Sequence, residues 1–550
     1  MSVDVVAENA RTQGRLDFGQ AQVYGFGDIN AQGYSKRPSV NVGETIRFAC
    51  DGNSTTIDIY RVGYYGGNNL RLVASISNTP ANQPNGVVIP DSNGATTQTS
   101  WSTTASWSVP SNATSGFYLA LVRSVAPYAP NAFWIPFVVR DDDAEADLLY
   151  VTSWTTWGMA YNYYGLKSNI NGKNVYGSGT GVGNIMDRSL CVSSHRPIIT
   201  RGGVEQTYWA ACELPMISFL ERNGIKVKYA TSYDLDKQGV DLFVDKCNVY
   251  MSNGHDEYWT ANMRDAVESW RDDYGGLSIF MSGNEVFWKA RFEEIGDEIR
   301  MWCYKDTMPG PNGYSRTPGQ AFDPVEWTGT WMDTRWPDHR DGALLTGTKF
   351  GMNGVYDYDA VIPTNPYGGL KVWGGTSLND RPITLTKVIG FEADHIYPTQ
   401  PDESVRVLAS YKRPAPGGLS DINGQNYDVQ GDIEWGVIAQ RYSSGALTVG
   451  FGTCQWAWAL DNRHDRGGAG VSIDAQKFTI NLLRDLGAPP QTLMPGITSQ
   501  PKNDLNNYGF VPGGSGSEPE SGGWFTDGGV PLTPYFLDSS NHLTRAYSSL

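Results

Sequence analysis

The chain has 550 residues, with 42 lysines and arginines against 58 aspartates and glutamates, a formal charge of −16, and 40% hydrophobic and 12% aromatic content. A chain of this length divides into two or more cores. The acidic balance leaves no basic stripe to neutralise phosphates, which excludes a nucleic-acid partner, and no apolar run reaches the roughly 18–20 residues that a membrane-spanning helix needs.

The N-terminus, MSVDVVAENARTQG, lacks the basic and apolar regions of a signal peptide, so synthesis in the cytoplasm is expected. Cysteines at 50, 191, 212, 247, 303 and 454 are scattered without a CxxC, which argues against both a disulfide scaffold and a thiolate zinc site. From 38 to 140, short alternating runs such as "TTIDIYRVGYYGG" and "GFYLALVRS" are punctuated by turn residues, and they predict an all-β, Ig-like sandwich over 1–140. The acidic "RDDDAEAD" (140–147) reads as a solvated linker.

Beyond it the rhythm changes. "DLLYVTS" (147–153), "IKVKYATS", "CNVYMSNG" and "LSIFMSG" are continuous apolar strands of the buried parallel kind. Helical spacing over 213–224, over the segment capped by Thr260 and ended by Gly275-Gly276, and over 474–487 supplies the crossovers. The expectation is an α/β body over 147–490, with β-rich insertions between about 320 and 450. Residues 491–550, rich in Gly, Pro and Ser, read as a C-terminal extension. The 18 tryptophans and 30 tyrosines are ascribed mainly to core packing, with carbohydrate contact as an alternative.

In open parallel sheets ligands bind beyond the carboxyl ends of strands. Three stretches occupy such positions: "SWTTWGMAYNYYG" (153–165), "NGHDEYW" (253–259) and "SGNEVFW" (282–288). If residues 254–258 stay extended, His255 and Glu257 face one way and Asp256 the other, so Asp256 is expected to cap or brace the following helix. The competing reading is that all three merely neutralise that helix N-terminus. HExxH, GxSxG and Walker loops are absent, and no cysteine sits at a strand-to-helix elbow. The remaining histidines (195, 339, 395, 464, 542) are expected to be ordinary polar loop residues, His395 the least so.

"DIYRVGYYGG", "SWTTWGMAYNYYG", "ELPMISFLERNG", "NGHDEYW", "SGNEVFWKARFE", "WTGTWMD", "GFEADH" and "GTCQWAWALDNRHDR" occur in this order. Together they resemble the catalytic region of the N,N-dimethylformamidase large (beta) subunit family across roughly residues 20–490. The resemblance implies a glutamine-amidotransferase-like α/β sandwich without the cysteine nucleophile, preceded by an Ig-like domain. It implies one Fe(III) held by Glu257 and two tyrosines, with Tyr161 first and Tyr176 second in preference. Glu392 would be the general base, and His255 and Asn284 would contact substrate or the developing oxyanion. Many relatives carry an aromatic, sometimes tyrosine, after the Arg-Pro at 196–197, where this chain has Ile198; a second phenolate from that position would be missing.

On this reading the protein is an iron-dependent hydrolase of a small amide, and residues 161, 257, 284 and 392 must share one polar pocket. A second class remains open: a structural or receptor-binding component of a virion, such as a phage minor tail protein, or of a surface assembly, reusing the fold with a degenerate site. It would place the chain in a homo-oligomer or larger assembly. The C-terminal extension and an N-terminal sandwich suited to docking are compatible with it.

Overall fold

The computed structural model describes residues 4–18, 31–88, 96–97, 101–125, 132–164, 172–178, 188–199, 209–305, 326–333, 337–353, 357–401, 404–415, 431–464, 470–498, 500–502, 535–537 and 543–545. The chain is sheet-rich, with few helices among them.

In the N-terminal part, a six-stranded sheet runs in the order Arg15–Asp17, Asn69–Ser77, Thr56–Val62, Gly116–Arg123, Ala132–Arg140, Ser39–Asn41. A three-stranded sheet, Ala31–Ser35, Thr45–Gly52 and Ala105–Ser108, faces it. Strand parity decides what each side chain meets. Ile57, Ile59, Tyr118, Ala120, Phe133 and Ile135 fill the core between the two sheets. The opposite parity, Tyr60, Val62, Phe117, Leu119, Leu121 and Trp134, joins the core of the second half of the chain. Both faces of Gly116–Arg123 and Ala132–Arg140 are therefore buried, and the outer face of the sandwich is itself an internal interface. The acidic linker is correspondingly less solvated than its charge implies. Ala144 and Ala146 are buried within it, and Asp142 pairs with Arg140 at 3.0 Å.

The second half is built on a seven-stranded sheet: β1 (Leu148–Thr152), β2 (Val227–Thr231), β3 (Val249–Gly254), β4 (Leu277–Ser282), β5 (Val405–Pro414), β6 (Asp432–Arg441) and β7 (Leu447–Gly450), in the spatial order β2-β1-β3-β4-β7-β6-β5. The first five in that order are parallel; β6 then pairs antiparallel to β7, and β5 antiparallel to β6, so β6 alone runs against the others. Helices α1 (Trp209–Arg222) and α3 (Ile473–Asp485) pack on the Leu148 and Tyr150 face together with the sandwich. Helix α2 (Ala261–Asp272) covers the Leu149 and Val151 face through Met263, Val267 and Trp270. With both faces covered, the strands can be apolar throughout, which is why they read as uninterrupted hydrophobic runs. The boundaries of all three helices fall within a few residues of the predicted ones. Thr260 caps α2 by accepting from the Met263 N–H at 3.3 Å.

Beyond residue 490 the chain begins docked, with the Thr492 N–H donating to Asn223 O at 3.1 Å and Met494 and Ile497 in the core. Of the remainder only the strand pair Tyr535–Leu537 and Leu543–Arg545 is described among 503–550, so the expected extension otherwise lies outside the described residues.

Candidate active site

The chain passes from β1 to β2 on one side and then returns to β3 on the other, so strand order switches at β1. A crevice beyond the carboxyl ends of β1 and β3 follows from that topology. β1 leads into a π-helical turn, Thr155–Ala160, that ends at Tyr161. β3 ends on Gly254, whose φ of +80° favours glycine, and a Cβ there would collide with the Cys212 side chain. β4 ends at Ser282, and a Cβ on Gly283 would strike the Glu392 carbonyl. That close approach lets the strand Glu392–Ile396 lie against the SGN loop.

The side chains brought together are those that the sequence points to. The Tyr161 hydroxyl donates to Glu257 Oε2 at 3.0 Å and lies 2.8 Å from the Tyr176 hydroxyl. Tyr176 in turn donates to Glu257 Oε1 at 2.8 Å. His255 Nε2 sits 3.4 Å from Glu257 Oε2 and 2.8 Å from Glu392 Oε2, and Asn284 Nδ2 donates to that same Glu392 oxygen at 2.6 Å. One ligand atom each from His255, Glu257 and Glu392 falls within 4.8 Å of the other two. Asn284 Oδ1 is buried and has no hydrogen-bond partner among the described residues, and its residue adopts a left-handed φ of +50°. Strained backbone of this kind persists where the surroundings over-determine it.

Burial dominates the electrostatics. It raises the Glu257 carboxyl above its ordinary range, opposed by His255 and aided by Glu392. Burial and then the Glu257 carboxylate hold the Tyr161 and Tyr176 phenols well above their usual values. For His255, burial works against the imidazolium, but Glu392 and Glu257 outweigh it and raise the group. Phenols held this high keep their protons, and hydrogen bonds link the cluster.

Three contributors escaped the sequence reading. The Tyr258 hydroxyl donates to Tyr176 at 2.7 Å, and Trp288 Nε1 donates to Glu257 Oε1 at 2.8 Å. Both lie inside the quoted "NGHDEYW" and "SGNEVFW" stretches, so proximity to the motif was a usable signal. Lys305 had none. Its Nζ rests 3.6 Å from the Tyr176 ring centre and 4.3 Å from that of Trp288, and burial lowers it to about 8.

Asp256 departs from expectation. Thr260, not Asp256, caps α2. The buried Asp256 carboxyl is pushed up to about 8 by burial and then by Glu213. His395 is a strand residue, not a loop one, and His195 is buried. Ile198 is a core residue; the second phenol beside Glu257 belongs to Tyr176. Two open surface clefts, of about 610 and 460 Å³, lie at the opposite ends of these strands, around Asp147, Cys247 and Tyr274. They are open, and among the described residues neither holds a comparable cluster, so convergent chemistry, not cleft size, locates the site.

Residues 56–467 match the family described as N,N-dimethylformamidase beta subunit-like, C-terminal. The N,N-dimethylformamidase beta subunit of Paracoccus aminophilus is 25% identical over 346 residues, covering 57% of this chain and 43% of that protein. Its counterpart from an Alcaligenes species is 26% identical over 259 residues, covering 42% of this chain and 34% of that protein. The chain thus spans less than half the length of these curated relatives.

Proposed function

The chain belongs to the family described as N,N-dimethylformamidase beta subunit-like, C-terminal, and from that premise we propose that it hydrolyses the C–N bond of a small amide, using iron(III) held by Tyr161, Tyr176 and Glu257. We read the seven-stranded body as glutamine-amidotransferase-like and the sandwich before it as Ig-like. The observation that carries the proposal is the meeting of two phenol oxygens and one carboxylate, within 3.0 Å of one another across three segments remote in sequence.

The donor set suits the ion. Hard, anionic oxygen ligands match a small, highly charged cation, and three protein ligands leave positions open for small molecules. Asn284 Oδ1, buried and without a hydrogen-bond partner among the described residues, is the kind of polar group that a bound ligand satisfies. When bound, the ion supplies Lewis acidity toward an amide carbonyl and makes water a better nucleophile.

The chain's own groups then divide the proton work. Glu392, with Oε2 gripped by Asn284 and His255, accepts the proton of the attacking water. It returns that proton to the amine as the C–N bond breaks. His255, raised toward its cationic form, stabilises the charge that develops on the former carbonyl oxygen. Glu392 and Asn284 are 6% and 3% exposed, and the ring of Phe391 stands edge-on to His255 at 5.7 Å. Such an enclosed, half-aromatic setting favours small uncharged amides over peptides.

Elemental analysis of purified protein, paired with amine release from formamides, tests the reading. We expect stoichiometric iron and measurable release in the wild type, and loss of both in Glu257→Ala. Metal content unchanged by Glu257→Ala would remove the ligand assignment.

A further inference from the structure

The Tyr161 and Glu257 side chains meet through one short segment. The Thr155–Ala160 turn holds Tyr161 by a bond from the Tyr161 N–H to Thr156 O at 3.1 Å. It also holds the other partner, because the Glu257 N–H donates to Thr156 Oγ1 at 3.2 Å. A single residue, Thr156, therefore registers both groups. π-type turns are rare and need outside support, and the sequence within this one offers no acidic or basic group to supply it.

That support comes from α1. Glu213, fully buried, accepts from the Ser153 N–H at 3.0 Å and from Trp157 Nε1 at 3.1 Å, both on Oε1. Its other oxygen accepts from the Tyr150 hydroxyl on β1. Ser153 is also the origin of the turn, since its carbonyl accepts the Thr156 and Trp157 N–H groups at 2.9 and 3.2 Å. Its hydroxyl is bonded to the Asn253 carbonyl at the end of β3. At Gly158 a Cβ would collide with the Trp154 indole, so the turn is packed tightly against its own start. Among the described residues no lysine or arginine pairs with Glu213, and burial raises its carboxyl to about 7. A buried acid with no counter-ion is costly and is retained where its acceptor oxygens are needed.

We infer that Glu213 is a positioning residue: its carboxylate clamps both the entry to the Thr155–Ala160 turn and the Trp157 indole, and through Thr156 fixes the mutual placement of Tyr161 and Glu257. It touches neither group itself. Its role in catalysis rests on the function proposed above; its role in placing the two side chains does not.

The test compares Glu213→Leu with Glu213→Gln by amide hydrogen exchange on the metal-free protein, followed by iron loading. Glutamine keeps an Oε1 acceptor for Ser153 and Trp157, whereas leucine keeps none. In Glu213→Leu, exchange over 153–161 and 255–258 should accelerate at least tenfold, while the β4 and α3 peptides stay protected; Glu213→Gln should resemble the wild type. On iron loading, the tyrosinate-to-iron visible band of Glu213→Leu should shift or weaken while that of Glu213→Gln persists. Should Glu213→Leu fail to fold, Trp157→Phe, which removes one of the donors, must accelerate exchange over the same two stretches. Wild-type exchange in whichever variant folds overturns the inference. A wild type that takes up no iron overturns the ligand reading alone and leaves the exchange result decisive for Glu213.

Discussion

Helix α1 is gripped at both ends, near its start through Glu213 and near its finish through Glu221. Glu221 faces the sandwich, where Arg61 donates to Oε1 at 2.7 Å and to Oε2 at 2.8 Å. Tyr229 and Asn9 add bonds of 2.9 and 2.8 Å, and neither member of the ion pair is solvent-exposed. Glu221→Ala removes four accepted bonds and leaves a guanidinium whose direct hydrogen-bond partners among the described residues are neutral, the Ser115 and Val62 carbonyls and the Tyr65 hydroxyl, with the Glu8 carboxylate acting on it from beyond Tyr65. Breaking a buried pair on one side costs about 3–5 kcal/mol, because the surviving charge remains desolvated. The paired replacement Arg61→Met with Glu221→Leu removes both charges and should cost far less, about 1 kcal/mol or even a net gain. Equilibrium urea unfolding of Arg61→Met, Glu221→Leu and the double variant gives the coupling energy directly. A cost below about 1 kcal/mol for Glu221→Ala would refute the claim that this pair locks sandwich to body, since a surface pair is worth that little.

Other outcomes follow from single contacts. Tyr161→Phe and Tyr176→Phe should each lower iron retention and shift the visible band, read by elemental analysis and absorption, with little change in unfolding midpoint. Gly158→Ala, forced against Trp154, should cost roughly 1–3 kcal/mol as overpacking does, and should reduce amide hydrolysis more than it lowers thermal stability. Asn284→Asp sets a second carboxyl 2.6 Å from Glu392; the two would share a proton, which takes Glu392 out of its base form and should depress turnover on the order of a hundredfold in steady-state assays. Burial, followed by the Lys36 charge, lowers His195 from 6.5 to about 4. The unfolded chain therefore takes up this proton at higher pH than the folded one. The stability contributed by neutral His195 is complete above pH 6.5 and is lost as pH falls toward 4. This is worth roughly 3–4 kcal/mol at about 1.4 per unit. The difference in melting temperature between wild type and His195→Gln should change across that window and be flat above it.

Much of the fold was legible because its signals are local. Apolar runs fixed β1, β3 and β4, and Thr260 marked the start of α2 by chemistry that any helix N-terminus requires. His255 and Glu257 do share one cluster, but residues 255–257 lie between the strands Val249–Gly254 and Tyr258–Thr260, so alternation along a strand is not what aims them; Glu392 and Asn284, legible from their motifs, meet at 2.6 Å. Asp256 misled because a carboxylate before a helix is commonly a cap, and only the position of Thr260 shows that the cap is already supplied. The linker misled through its charge, because Ala144 and Ala146, which bury it, are too small to read as core residues.

What the sequence determined by itself was the kind of each segment and the chemical character of the residues at the strand ends, because backbone propensity and side-chain pattern act over a few neighbours. The tertiary structure decided who meets whom. Tyr176 and not position 198 completes the phenol pair, Lys305 settles over aromatic rings, and Glu213 reaches a turn about 60 residues away. Such pairings arise from the strand-order switch at β1 and from close approaches that Gly254 and Gly283 permit, and these are properties of the packed chain, which no short window of residues contains.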